Sequence, residues 1–457
     1  MRTAVIVPPP WMSDVRRSTA GRGRRVEVCR YRGSTMESSP DPIDPGAALG
    51  RRGAIVVVPT VVGGQQGPVA AWVSAAGWAA ALRNLLGRVW VVTPEGPLEP
   101  DELRRRASAA TLTSSSQPRW HSWVPVVANT ARKDVREWRR AQAFQVDPAG
   151  PWLDDDVACV WQRHELFHTA GPRLARMLGV PSILFVPAPL VWQARQWGVR
   201  RPGWSRLTEQ VGERNPLRSA DVVACGSDAV AEQVRRIGVD DRRIVITPTG
   251  ADLELFRLPP DRDAARRRLG LDGRFVVGWV GSFRRFHALD QAVDALAGLD
   301  GATLLLVGDG PERASVERLA HARGVELQCT GTVGHDDIPS YLAAMDVGLV
   351  LASGDQPFHY SPLKLAEYMA AGLAVVAPRA GALPAQLRDG VDAMLVTPGD
   401  PHELADVLRR LRDDVALRER LGRAAKSVAG ERWSWDRSAR EALAAATRAA
   451  SMSRSGR

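Results

Sequence analysis

Short apolar runs that suit buried strands alternate with helix-length segments through the second half of this chain. The strand-like runs are Arg274–Val280, Thr303–Val307, Glu326–Thr330, Val347–Ala352 and Ala374–Ala377. The segments that suit helices are 288–297, 312–322, 337–344, 363–371 and 401–412. Parallel strands form continuous apolar runs because helices cover both faces of their sheet. This order therefore predicts a doubly wound α/β domain.

The first half of the chain predicts a second sheet of the same type. Strand Ala54–Pro59, a glycine loop, helix Val69–Leu86 and strand Val89–Thr93 form the unit from which parallel sheets are built. The later strand-like runs are Val157–Trp161, Ser182–Val186, Val222–Cys225 and Ile244–Pro248. Residues 95–150 carry no clear pattern. The fold class predicted for the whole chain is α/β, with two Rossmann-like domains.

The predicted boundaries divide the chain into four segments. Residues 1–50 are rich in Arg, Pro, Gly and Ser without periodicity, which predicts a disordered or additional leader. Residues 51–255 form the first domain and 256–430 the second. Residues 431–457 form a final Ala-rich helix and a short tail.

The net charge favours anionic partners. Lys and Arg number 61 against 51 Asp and Glu, a balance of +10 that suits nucleotides, anionic lipid surfaces or nucleic acid. The arginines are scattered and no nucleic-acid motif is present, so we expect no nucleic-acid partner. The four cysteines show no paired metal spacing. No apolar run is long enough to span a membrane, and we predict a reducing, cytoplasmic location.

One basic segment leaves two alternatives open. Between Trp192 and Trp204 the chain interleaves aromatic and basic residues, namely Arg195, Trp197, Arg200 and Arg201. Such a segment can lie on an anionic membrane surface, here the inner membrane face. It is equally compatible with a solvated loop that controls access of a substrate.

The segment Ser361–Gly372 carries the strongest candidate site. A polar loop leads into a helix, and Lys364 and Glu367 are three residues apart on one helical face. The unpaired amides and the positive end of the dipole at a helix start suit a diphosphate. Glu367 is placed to accept hydrogen bonds from a vicinal diol such as ribose. Taken alone, the segment is equally typical of a helix with a surface Lys–Glu pair.

This segment, Ser-Pro-Leu-Lys-Leu-Ala-Glu-Tyr-Met-Ala-Ala-Gly, resembles the donor-binding motif of the family 4 glycosyltransferases of the GT-B fold. Five other motifs match in the family's order, namely Gly278–Phe283, Leu304–Pro311, Gly331–Val333, Ala374–Pro378 and Val396–Asp400. The resemblance covers nearly all of residues 220–425 and continues weakly back to residue 54. It implies two doubly wound Rossmann-like domains that face each other across a cleft, with the last helix crossing back onto the first domain.

The resemblance also implies a donor site in the second domain. Glu367 would bind the ribose. The residues at the start of its helix would bind the diphosphate, and the motif Gly331–Val333 would bind the base. The donor-binding residues predicted on these grounds are Gly281, Ser282, Arg284, Arg285, His287, Gly331, Val333, Ser361, Pro362, Leu363, Lys364 and Glu367.

The first domain is predicted to hold the acceptor. Gly63 and Gly64 follow its first strand, where a tight turn is the alternative explanation. Arg163 and His164 follow the strand Val157–Trp161, so they too would face the cleft, in contact with the acceptor or the donor phosphate.

Several positions depart from the wider family. His359 replaces a glutamate that often touches the sugar, Ser282 replaces a basic residue, and His287-Ala288 replaces a Lys-Gly pair. We expect Arg284 or Arg285 to supply the missing positive charge. These departures leave open an alternative, a catalytically silent protein that binds a nucleotide or a partner.

The expected function is that of a retaining, nucleotide-sugar-dependent hexosyltransferase. Its acceptor would be a glycolipid, a polysaccharide or a small molecule. The resemblance implies no tightly bound cofactor and no metal, and Asp154–Asp156, which precedes a strand, is predicted to be a solvated turn. The sequence does not determine the oligomeric state.

Overall fold

The computed structural model describes residues 53–60, 69–112, 126–196, 198–257, 261–355, 358 and 363–455. In this part of the chain the strands form a seven-stranded sheet and a six-stranded sheet. The first half of the molecule is built on the seven-stranded sheet and the second half on the six-stranded sheet. This arrangement confirms the predicted α/β class with two parallel-dominated, doubly wound sheets.

The first sheet has the strand order β3-β2-β1-β4-β5-β6-β7, in which every pair is parallel except β2 with β3. Its strands are β1 (Ala54–Val57), β2 (Val89–Thr93), β3 (Gly96–Leu98), β4 (Cys159–Arg163), β5 (Ser182–Val186), β6 (Val222–Cys225) and β7 (Ile244–Ile246). The strand order reverses between β1 and β4, and ligands bind beside such a point in open α/β sheets.

The helices of this half are α1 (Val69–Leu86), α2 (Pro100–Leu112), α3 (Val126–Ala143), α4 (Ala170–Leu178), α5 (Leu190–Gln196), α6 (Ser205–Leu207), α7 (Asn215–Ser219) and α8 (Asp228–Arg236). A π-helical turn, Thr208–Arg214, joins α6 to α7, and a 3-10 turn, Asp241–Arg243, precedes β7.

The second sheet is parallel throughout, in the order β10-β9-β8-β11-β12-β13. Its strands are β8 (Phe275–Val280), β9 (Ala302–Val307), β10 (Leu327–Cys329), β11 (Val347–Leu349), β12 (Ala374–Pro378) and β13 (Met394–Val396). Here the order reverses between β8 and β11. Alternate residues of β8 face opposite cores, Val276 and Val280 on one side and Val277 and Trp279 on the other.

The helices of the second half are α9 (Leu253–Arg257), α10 (Arg262–Leu269), α11 (Leu289–Leu296), α12 (Arg313–Arg323), α13 (Ile338–Ala344), α14 (Leu363–Ala371), α15 (Leu383–Gln386), α16 (Pro401–Asp413), α17 (Val415–Arg432) and α18 (Trp435–Ser455). Single 3-10 turns lie at Arg285–His287 and His335–Asp337.

The sequence did not predict α17, although this helix supports α14. Its interior contains Gly422, a residue that disfavours helix formation. A Cβ atom at Gly422 would lie 2.1 Å from the carbonyl oxygen of Gly372, just beyond the end of α14. The glycine is therefore needed for the close approach of the two helices. The unpatterned stretch 95–150 also contains two helices, α2 and α3.

The last helix, α18, packs into the core of the first half. Trp435 lies in that core with Trp78 of α1, their ring centroids 6.3 Å apart. Gly77 makes room for this contact, since a Cβ there would lie 2.2 Å from Trp435 Nε1. Ser438 donates a hydrogen bond to the carbonyl of Pro248 at 2.8 Å, which fixes α18 beside the end of the first half.

Three residues of the segment between Trp192 and Trp204 form contacts with other parts of the first half. Arg201 and the Trp204 indole both donate to Asp134 of α3, and the side chains of Arg201 and Asp134 are 8% and 11% exposed. Arg195 pairs with Glu209. The prediction that this segment presents its arginines to a membrane or to solvent is therefore wrong for Arg201, whose charge is already paired. Trp197 lies outside the described residues.

Within the described ranges, the model contains no helix that combines the length and the apolar composition needed to cross a membrane.

Replacing Trp435 tests the packing of α18. Trp435→Ala removes a buried indole and is expected to cost about 3–5 kcal/mol of unfolding free energy. Trp138→Ala is the control, because Trp138 of α3 is 45% exposed and its loss should cost less than about 0.5 kcal/mol. Denaturant unfolding followed by far-ultraviolet circular dichroism measures both. Equal losses for the two variants would contradict the assignment of Trp435 to the core.

Candidate functional site

The loops that follow β8, β9 and β10 are bonded to one another at the carboxyl edge of the second sheet. The Gly281 N–H donates to the carbonyl of Val307 at 2.9 Å, and the Gly308 N–H donates to the carbonyl of Gly331 at 2.9 Å. Gly281 and Gly331, predicted from separate motifs, thus belong to one continuous rim. Ligands of open α/β sheets bind at this edge.

Glycine is required where the backbones of this rim meet. Gly281 and Gly308 have φ values of +137° and +133°, which side chains rarely tolerate. A Cβ on Gly308 would lie 2.0 Å from the Gly281 carbonyl oxygen. The rim therefore presents bare backbone, a surface that an anion can approach closely.

Helix α14 is fixed against the sheet by Tyr368. Its hydroxyl accepts a hydrogen bond from the Val280 N–H at 2.7 Å, at the end of β8. The ring packs on Gly348 of β11, where a Cβ would lie 2.7 Å away. Burial raises the pKa of Tyr368, so the hydroxyl stays protonated. This contact sets the position of Lys364 and Glu367 on the same helix.

Lys364 lies over an aromatic ring beside the rim. Its Nζ is 3.4 Å from the centroid of Trp279, a favourable cation–π geometry. The same Nζ lies 3.3 Å from the position that a Cβ on Gly281 would occupy. Burial lowers the pKa of Lys364 to about 7, against the opposing effect of the Glu367 carboxylate. Among the described residues no carboxylate forms a salt bridge with it, so it is available to an anionic ligand.

Glu367 is buried and has a partner that the sequence did not indicate. It is 3% exposed, and its Oε1 lies 2.7 Å from Nε2 of His335, in the segment after β10. Burial acts to lower the pKa of His335, but the hydrogen bond to Glu367 and the charge of that carboxylate raise it overall. The Glu367 carboxylate therefore lies beside the rim and is not surrounded by bulk water. Only a tertiary contact across 32 residues reveals His335.

Leu363, the first residue of α14, lies between the two halves of the molecule. It is partly buried and packs against the core cluster formed by α1, the first sheet and α18. The start of α14 is therefore next to the first half, as a site in an interdomain cleft requires.

The arginines at the rim are accessible, whereas His287 is not. Ser282, Arg284 and Arg285 are exposed, and no described acidic side chain forms an ion pair with either arginine. His287 is 7% exposed and its ring packs on Trp279 with centroids 4.8 Å apart. Burial, with Lys364 and Arg284 nearby, lowers the pKa of His287 far below its usual value.

His287 therefore stays neutral and supports Trp279. Its predicted contact with the donor stays a prediction. The next residue, Ala288, has φ +50°, a conformation that suits glycine. The family's glycine is thus replaced without loss of the backbone conformation. Val333 lies in the loop after Gly331 and is half-buried.

On the first half, Arg163 is the last residue of β4 and His164 follows it, since the strand ends two residues later than predicted; both side chains are turned inward. Arg163 is 8% exposed and pairs with Glu165. His164 is fully buried, with Nε2 3.3 Å from Glu213. The predicted contact of His164 with an acceptor stays a prediction.

The remaining predicted residues, Gly63, Gly64, His359, Ser361 and Pro362, lie outside the described residues. Of the residues that are described, no group of three or more His, Cys, Asp or Glu side chains is arranged to hold a metal ion.

Two family models match consecutive parts of the chain. The model of Glycosyltransferase Family 4 matches residues 71–255, and that of Glycosyl transferases group 1 matches residues 274–414. The chain belongs to the family 4 glycosyltransferases. The second match contains the rim, Lys364 and Glu367, so the candidate site lies in the part of the chain that carries the family's features.

Curated relatives resemble the chain over part of their length. A 2-deoxystreptamine glucosyltransferase of Streptomyces kanamyceticus is 30% identical over 54% of this chain and 65% of its own. A D-inositol 3-phosphate glycosyltransferase of Nocardioides sp. is 30% identical over 51% of this chain and 55% of its own. The chain therefore spans between half and two thirds of the length of these relatives.

Solved structures confirm the GT-B fold. HepE of Anabaena has a TM-score of 0.57 at 18% identity, covering 88% of this chain and 100% of its own. Sucrose-phosphate synthase of Thermosynechococcus elongatus has a TM-score of 0.58 at 20% identity, covering 88% and 99%.

The contact between Tyr368 and Val280 can be tested by removing one oxygen atom. Tyr368→Phe leaves the buried Val280 N–H without an acceptor and is expected to cost about 1–3 kcal/mol of unfolding free energy. Tyr341→Phe on α13 is the matched control, because no hydrogen bond of that hydroxyl to a described residue is present. Chemical denaturation measures both variants. A loss no larger in Tyr368→Phe than in the control would show that this hydroxyl does not hold α14.

Proposed function

We propose that this protein is a retaining glycosyltransferase that moves a sugar from a nucleoside diphosphate donor to an acceptor hydroxyl. Membership of family 4 supports transfer of a glycosyl group as the reaction type. The observation that carries the proposal is the convergence, on one rim, of the bare backbone at Gly281, of Lys364, which has no salt bridge to a described residue, and of the buried Glu367.

The diphosphate would lie against the Gly281–Ser282 backbone. Arg284 and Arg285 are exposed and follow in the same loop. Lys364 Nζ lies 3.3 Å from the position that a Cβ on Gly281 would occupy. When the bond between the anomeric carbon and the phosphate oxygen breaks, its electron pair stays on the departing diphosphate. Fixed amides and cations stabilise that charge as it forms, without the reorganisation that water would need.

The nucleoside would lie beside the diphosphate, along α14. Glu367 would accept hydrogen bonds from the ribose hydroxyls, and the backbone of Gly331–Val333 would bind the base. A carboxylate that is buried at the rim loses little conformational freedom when it binds, which favours recognition of a vicinal diol.

The relatives guide the choice of substrates for a first test. HepE was solved with UDP and glucose, so UDP-glucose belongs in the donor panel. The curated relatives are named for 2-deoxystreptamine and D-inositol 3-phosphate, which belong in the acceptor panel beside glycolipid and polysaccharide acceptors.

A donor screen tests the proposal directly. UDP, GDP and ADP, and then their glucose and mannose conjugates, are added to the purified protein in a thermal-shift assay. We expect one base to stabilise the protein and the matching sugar conjugate to be turned over, slowly by hydrolysis when no acceptor is present. Binding without turnover of any donor and acceptor pair would contradict glycosyl transfer.

Removing the carboxylate at 367 tests its role in donor binding. Glu367→Ala is expected to weaken binding of the selected nucleoside diphosphate by about 1–3 kcal/mol, because a hydrogen bond to a charged group is lost. Glu419→Ala on α17 is the control, since the Glu419 side chain is 63% exposed and pairs with Arg423 on the same helix. Isothermal titration calorimetry measures both, and unchanged affinity in Glu367→Ala would refute the site assignment.

Lys364 predicts proton uptake on donor binding. Its pKa of about 7 leaves most of the amine neutral at pH 8, and a bound diphosphate raises that pKa because an opposite charge favours the ammonium form. At pH 8 the terminal phosphate is already ionised, so the wild type should take up a fraction of a proton and its affinity should fall as the pH rises above 7.

Calorimetry in two buffers with different ionisation enthalpies measures this uptake. Lys364→Met should abolish it, whereas Lys133→Met, at an exposed position of α3, should retain it. Binding at pH 8 with no proton uptake by the wild type would show that Lys364 does not meet the diphosphate.

A further inference from the structure

The Glu367 carboxylate is held by one side chain from another loop. Oε1 lies 2.7 Å from His335 Nε2, and Oε2 has no hydrogen-bond partner among the described residues. His335 follows the loop of Gly331 and Val333, and Phe256 of α9 packs edge-on against its ring at 6.1 Å. The imidazole thus connects the loop predicted to bind the base with the carboxylate predicted to bind ribose.

The segment that carries His335 is in turn held by the first half of the molecule. Arg104 Nε donates to Asp336 Oδ1 at 3.2 Å, and the Asp336 N–H donates to Ser108 Oγ at 3.3 Å. Both partners lie on α2. Gly334 is close to the same serine, since a Cβ there would lie 2.9 Å from Ser108 Oγ.

Arg104 also connects this contact to the chain between the two sheets. Its Nη1 lies 3.3 Å from Oδ2 of Asp252, the residue immediately before α9. The guanidinium therefore bridges α2, the segment that enters the second half, and the turn of His335. A movement of α2 relative to the second sheet would act on His335 through this bridge.

We propose that His335 is a positioning residue: it fixes one oxygen of Glu367 so that the other can receive the ribose hydroxyls, and α2 holds it in place. This inference rests on the proposed function, because it deepens the role of the same site. The ring is hydrogen-bonded to Glu367, and the charges of Asp336 and Arg104 also act on it. A charged ring donates a stronger hydrogen bond to a carboxylate than a neutral one.

The alternative role for the same contact is obstruction. If the ring occupied the place of the ribose, its removal would strengthen nucleotide binding instead of weakening it. A purely structural role would change the stability of the protein and affect all phosphate ligands equally. The three roles therefore differ in sign and in ligand dependence.

The experiment compares ligands with and without the diol. Calorimetry with UDP, GDP and ADP identifies the ribonucleotide that binds most tightly, and its 2′-deoxy form and inorganic pyrophosphate complete the set. For wild type we expect the ribonucleotide to bind more tightly than the deoxy form. His335→Ala should lower the ribonucleotide affinity about tenfold, the size of one charge-assisted hydrogen bond, and leave pyrophosphate affinity within twofold.

Further variants separate the role of the His335 side chain from general effects. His335→Gln retains a donor and should recover part of the loss. In the background Glu367→Gln, His335→Ala should have little further effect, because the two residues act as one unit. His321→Ala on α12, an exposed histidine, should leave the affinities unchanged.

Asp336→Asn tests whether α2 holds His335 in place. This variant should lower the affinity for the ribonucleotide, as His335→Ala does, but by a smaller factor. Stronger binding in His335→Ala, an unchanged ratio of ribonucleotide to deoxynucleotide affinity, or an equal loss for pyrophosphate would overturn the inference. If the wild type binds the ribonucleotide and Glu367→Ala weakens it, such a result overturns only the role of His335. Absence of any nucleotide binding by the wild type would overturn the proposed function as well.

Discussion

The candidate site depends on backbone segments that approach each other more closely than side chains would allow. Gly308 meets the carbonyl of Gly281 at the rim, and Gly422 meets the carbonyl of Gly372 behind α14. The hydrogen bond between Tyr368 and Val280 then fixes the same helix from its buried side. Protein interiors are close-packed and hardly compressible. These contacts therefore determine where Lys364 and Glu367 lie relative to the rim.

The basic residues of the rim, Lys364, Arg284 and Arg285, lie at other positions than the basic pair of the wider family. The residues that replace the family's basic pair are Ser282 and a buried, neutral His287. His287 instead supports Trp279, and the Trp279 ring carries the ammonium of Lys364. A cation on an aromatic face keeps much of its charge available to an anion. The departures in sequence are thus compatible with a rim that still attracts a diphosphate.

The sequence predicts α14 and the described strands other than β3 and β13, because apolar runs and the glycine that ends a helix are local signals. Gly372 has φ +77°, the conformation typical of a residue after a helix. The direction in which a side chain points after a strand depends on tertiary contacts and not on the local sequence. His164 and His287 lie at their predicted places in the chain, yet neighbouring elements bury both. The contact of His335 with Glu367 joins separate loops, so only the fold reveals it.

The donor side of the site is not independent of the first half of the molecule. Leu363 packs against the core around α1 and α18, and Arg104 of α2 reaches both Asp252 and Asp336. A ligand that binds only one relative arrangement of the halves stabilises that arrangement, and the halves in turn affect the ligand's affinity by the same factor. Leu363 joins α14, which carries Glu367, to the first half, and Arg104 joins α2 to the segment that carries His335. We therefore expect donor affinity and the packing of the two halves to be coupled.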